Sequence, residues 1–92
     1  MTIAHSVQVH DANQALAVEA VLSERTYQDA RHGRKLVEVG TLIVLMEEYL
    51  KRARYEFTEG FRALDDIRKV TALGVKALEL HGAPCRGDNH VS

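Results

Sequence analysis

The chain has 92 residues and a formal net charge of −1, with 27% charged and 46% hydrophobic side chains. This describes one small domain with no surplus positive charge to draw it to DNA or to an anionic membrane. A lone cysteine, Cys85, excludes an internal disulfide framework and fits a reducing, cytoplasmic setting.

Residues 1–10 show no sustained pattern and are expected to be irregular. Met1 to Ser6 lacks the charged flank and apolar core of a signal peptide. Asp11 followed by Gln14 matches a capping box, placing the start of a first helix there. That helix carries Ala15, Leu16, Val18, Val21 and Leu22, continues through Tyr27, and is expected to end near Gly33 with Arg31 and His32 in its last turn.

A second helix is predicted from Lys35 to Phe57, because Leu36, Val39, Ile43, Met46, Leu50, Ala53 and Phe57 recur at three- and four-residue spacing. Glu47 with Lys51 and Glu48 with Arg52 are expected i,i+4 pairs. Thr58 to Gly60 reads as a turn. A third helix then starts near Phe61 and uses Leu64, Ile67, Val70, Leu73, Ala77, Leu78 and Leu80 before His81, Gly82 and Pro84 stop it. Residues 11–82 thus form one domain, with 83–92 expected as a mobile polar tail.

The resulting fold class is all-α: three helices, the last two joined by a short turn into a long antiparallel hairpin. From Val70 to Leu80 the third helix is apolar almost all round, with Thr71, Lys76 and Glu79 its strongly polar members. An outer helix of a small domain shows one apolar stripe, so this helix is expected at the centre of a homo-oligomer. Gly40 and Gly74 fall mid-helix, where close backbone packing at a helix crossing would offset their cost.

Paired carboxylates at metal-binding spacing are scarce inside these helices. Glu38, Glu47, Glu48, Asp65 and Asp66 each meet a cation, an apolar residue or a threonine three and four positions on. Histidines 5, 10, 32, 81 and 90 have no mutual ligand spacing, and His81 is expected to bond the last carbonyls of the third helix. Arg86-Gly87-Asp88 carries no information at three letters. Positive charge is better organised. Arg25, Arg31, His32, Arg34 and Lys35 flank the Gly33 turn, with Tyr27 and Gln28 one helical turn away. Such a cluster suits phosphate oxygens beside a stacked base, and it equally suits a solvated helix end. Arg68 and Lys69 can pair with Asp65, Glu38 or Glu79, or face a ligand.

Glu24-Arg25-Thr26-Tyr27-Gln28-Asp29, Val37-Glu38-Val39-Gly40, Ala63-Leu64 with Ile67-Arg68-Lys69-Val70, and Leu78-Glu79-Leu80-His81-Gly82 together resemble small bacterial and bacteriophage proteins of the MazG-like group. The resemblance covers roughly residues 24 to 86. It implies an all-α oligomer and magnesium-dependent hydrolysis of nucleoside triphosphates, resting on a Glu-Glu-x-x-Glu helix followed by a Glu-x-x-Asp helix. Here Glu47-Glu48 opens the first pattern but Lys51 stands at its third carboxylate, and Lys69 replaces the aspartate of the second. An ammonium at a ligand position repels a metal and attracts phosphate.

The leading expectation is therefore a non-catalytic, nucleotide-binding homo-oligomer, of the kind by which phages sequester nucleotide immune signals. Its binding residues are Tyr27, Gln28, Arg31, Arg34, Lys35, Arg68 and Lys69, without metal or other cofactor. The alternatives are a pyrophosphohydrolase holding magnesium through Glu38, Glu48 and Asp66, and a helical protein-interaction module with no small ligand.

Overall fold

The computed structural model describes residues 3–60 and 62–87, and side chains from Val9 onward. Three helices account for most of it: α1 (Ile3–His32), α2 (Val39–Thr58) and α3 (Leu64–His81). None of them is long and apolar enough to cross a membrane.

α1 begins well before the predicted cap. Residues 3–10 are helical rather than irregular, and Asp11 lies inside the helix. A local capping pattern lost to continued helix, which Ala12, Ala15, Ala17 and Ala20 favour. The predicted end holds: Gly33 takes φ of +80°, and its N–H donates to the Asp29 carbonyl at 2.8 Å. The chain then runs through Arg34–Glu38 without regular structure, so α2 starts at Val39 rather than Lys35. Glu38 is its extended N-cap residue, and the first α2 bond is Leu42 N–H to the Glu38 carbonyl at 3.1 Å.

The turn at Glu59 and Gly60 reverses the chain, with Gly60 at φ of +85°. The predicted start of the third helix at Phe61 lies outside the described residues; α3 proper begins at Leu64 with Asp65 and Asp66 in its first turn, where negative charge complements the helix dipole. α2 and α3 form the antiparallel hairpin. Arg52 reaches Asp66 near the turn, while His81 at the far end lies 2.7 Å from the Val37 carbonyl ahead of α2. That carbonyl accepts the imidazole N–H, so His81 ties two segments together instead of capping its own helix.

α3 is the central element, packed by α2 on one side and α1 on another. Apolar residues fill the α2–α3 seam: Leu42 and Ala53 of α2 and Ala72 and Leu73 of α3 are all buried. Gly74 faces Met46, whose sulfur lies 4.0 Å from where a Cβ would stand, while Gly40 has open space around it. Neither glycine is required by close backbone approach within the protomer.

The α1–α3 seam is polar. Arg68 Nε donates to Glu24 at 2.9 Å and Arg25 Nε donates to Glu79 at 3.1 Å. Glu24 and Arg25 are neighbours, yet their partners lie about 16 Å apart along α3 at 1.5 Å per residue. Consecutive side chains can fan out this far only if α1 crosses α3 steeply. The shape follows: the radius of gyration is 16.1 Å, against about 12 Å for a compact chain of this length. Residues 9–20 of α1 stand exposed.

Candidate functional site

The crossing leaves a cleft of about 400 Å³ where all three helices meet. α1 contributes Glu24, Tyr27, Gln28, Arg31 and His32; α2 contributes Leu42, Leu45 and Tyr49; α3 contributes Lys69, Leu73 and Lys76; Val37 closes it from the connector. Leu42 and Leu73 supply a buried apolar floor.

The sign of the charge here is set by which carboxylates are already engaged. Glu24, the one acidic residue on the lining, is buried and held by Arg68, which also binds Asp65 at 2.8 Å. These two carboxylates hold the Arg68 guanidinium above its ordinary pKa. Behind the cleft, Arg25 is buried and bonded to Glu79 and to Gln28 Oε1. Asp29 Oδ1 approaches Arg25 at 3.0 Å, a charge contact without hydrogen-bond alignment. Burial opposes the Arg25 charge, but Glu79 and Asp29 outweigh it and raise its pKa.

The cleft cations lack such partners. Lys76 is only 6% exposed, yet makes no hydrogen bond or ion pair with any described residue, and it opens both onto this cleft and onto the groove behind it lined by Arg25, Arg34 and Glu79. Lys69 is likewise without a carboxylate partner among the described residues; its ammonium lies 5.7 Å from the Tyr49 ring centroid, with Arg52 at 5.1 Å from the same ring. A cation with little access to water and no counter-charge gains from a bound anion.

Of the residues expected from sequence, Tyr27, Gln28, Arg31 and Lys69 line this cleft together. Arg34 is turned away: it pairs with Asp29 at 3.3 Å on the rear groove. Lys35 lies in the exposed connector and lines no pocket described here. Arg68 spends its charge on Glu24 and Asp65 and acts as a brace. Lys76, Tyr49 and His32 complete the lining. Lys69, Leu73 and Lys76 fall at i, i+4 and i+7, so the spacing alone places both lysines on one stripe of α3.

The alternative carboxylates do not converge. Glu38 is the N-cap residue of α2 with no side-chain cap bond, and Glu48 is exposed with Lys51 at 3.7 Å. Asp66, 2% exposed, accepts from Arg52 at 2.9 and 2.7 Å. Arg52 therefore binds Asp66 rather than Glu48, and the predicted Glu47–Lys51 pair does not form. Arg52 holds the Asp66 carboxyl below its ordinary range, while the neighbouring Asp66 carboxyl raises that of Glu56. Among the described residues no three His, Cys, Asp or Glu side chains gather into a metal site.

No protein-family model, curated protein or solved structure matches this chain.

Proposed function

We propose that the chain is a non-catalytic nucleotide-binding protein that works as a homo-oligomer, with the three-helix cleft as its binding site. The observation that carries this reading is Lys76, a side chain only 6% exposed and without a counter-charge among the described residues, opening onto a cleft that also holds Lys69 and Arg31. Phosphate is the anion that three converging cations suit. Tyr27, 56% exposed, and Tyr49 offer ring faces for a base, and the Leu42–Leu73 floor suits its apolar plane. A volume near 400 Å³ lies within the usual range for small-molecule pockets.

Retention without turnover is supported by the lining itself. Its acidic member, Glu24, is occupied by Arg68, which leaves no free carboxylate there to activate water or hold a cation. In the MazG-like comparison, Lys69 replaces a metal ligand and would meet phosphate directly. A binder of this kind acts by holding its ligand, as a sponge for a nucleotide signal does.

Native mass spectrometry of protein taken directly from cells tests the reading, followed by thermal unfolding with mono-, tri- and cyclic nucleotides. A retained or added nucleotide at 100 times its Kd should stabilise the fold by about 2.7 kcal/mol. Steady pyrophosphate release with magnesium or manganese would overturn the non-catalytic assignment. Indifference to every nucleotide would overturn the ligand assignment.

A further inference from the structure

The uncovered face of α2 has an internal order. Ile43, Leu50 and Phe57 recur every seven residues, and Leu36 stands one heptad earlier in the connector. Val39, Met46 and Ala53 occupy the alternate positions, three residues on from Leu36, Ile43 and Leu50. A seven-residue period with two apolar positions is the seam of a helix pair. Within the protomer α3 covers only one flank of it: Ala53 is buried and Met46 half-buried, whereas Ile43, Leu50 and Phe57 are exposed, Leu50 at 51%. Glu47 and Arg54 border the open flank, both exposed, and neither forms an ion pair with a described residue.

We propose that this face pairs with the same face of a second copy, the two α2 helices running antiparallel about a two-fold axis at Leu50. Around that axis Leu50 meets its own counterpart and Ile43 lies opposite the partner's Phe57. Glu47 falls beside the partner's Arg54, and the reciprocal pair forms at the other end. A surface that answers its own charge pattern under a two-fold is the signature of an isologous interface. An unrelated protein has no reason to match it.

The exposed area supports the same occupant. The chain presents 7251 Å² to solvent, whereas a compact monomer of this mass presents about 5,400 Å². The surplus of about 1,900 Å² exceeds the ~800 Å² that each partner of a standard interface buries. The projecting part of α1 supplies some of it and the α2 face another part. Leu45 and Tyr49, which line the cleft, lie on a different side of α2, so pairing and ligand binding can fail independently.

The test is site-directed crosslinking with mass measurement in solution, using the full chain. With Cys85→Ser removing the native thiol, Leu50→Cys should form a disulfide-linked dimer under mild oxidation, and Glu48→Cys, on the opposite side of α2, should not. Sedimentation equilibrium should show a dimer, or an even multiple, at micromolar concentration. Glu47→Arg and Arg54→Glu should each weaken it roughly tenfold by opposing like charges, and the double exchange should restore it. A wild-type monomer overturns the proposal, as does equal crosslinking at both positions or a double exchange no better than the singles. The charge exchange keeps the test decisive if the Leu50 variant fails to fold.

Discussion

Arg52 grips one oxygen of Asp66 with two nitrogens, at 2.9 and 2.7 Å, and so joins the middle of α2 to the first turn of α3. Asp66 is buried and Arg52 half-exposed, so the two ends of the bond are not equivalent. Arg52→Ala leaves an enclosed carboxylate short of a donor, and is expected to lower stability by about 1–3 kcal/mol at neutral pH. Because Arg52 depresses the folded-state pKa of Asp66, the bond's contribution is complete above the unfolded value of about 3.9 and is lost as pH falls through the lower folded one. Chemical denaturation across pH should show the gap between wild type and variant closing in acid. A constant gap would contradict the assignment.

Lys76→Met separates binding from folding. Methionine keeps the length of the side chain and removes the uncompensated charge, so the ligand-free protein should be equally or more stable. Nucleotide affinity should fall tenfold or more, read by calorimetry. A variant that loses stability and retains affinity would show Lys76 to be structural.

Tyr27→Ala should leave the melting temperature nearly unchanged, since the ring is more than half exposed. Base stacking contributes about 1–3 kcal/mol per base, so nucleotide affinity should weaken while inorganic phosphate binding stays constant. Titrating both probes checks this.

Gly74→Ala should stabilise the protein by about 0.5–1 kcal/mol, because the added methyl would meet only the Met46 sulfur at ordinary contact distance and helical glycine is costly. Urea midpoints read this directly. A loss of stability would mean that the α2–α3 seam is tighter than its geometry here.

The hairpin was legible because its apolar residues repeat at helical spacing over about five turns, a signal that neighbours do not erase. The start of α1 was not, since Asp11 and Gln14 satisfy a local capping pattern that an alanine-rich helix runs straight through. Four of the seven expected ligand residues line the cleft, three of them on α1, whose end the Gly33 turn fixes there. Arg68 pairs with Asp65, one of the partners its spacing offered, but its bond to Glu24 was not legible, because it depends on the crossing angle of α1 and no local spacing encodes that angle. Lys76 was hidden by its setting, one of three polar residues in an otherwise apolar run. Tyr49 became part of the site only once α3 had brought Lys69 beside it.

The two seams of α3 differ in kind, and solution conditions act on them differently. Guanidinium–carboxylate contacts fasten α1, so dissolved electrolyte loosens the half-exposed Glu79 end of its clasp more than the hairpin, where buried apolar residues accompany the Arg52–Asp66 bond. Cooling does the reverse, weakening the Leu42–Leu73 contact more than the charged clasp. The attachment of α1, and with it the width of the cleft, is therefore expected to depend on ionic strength more than the hairpin does.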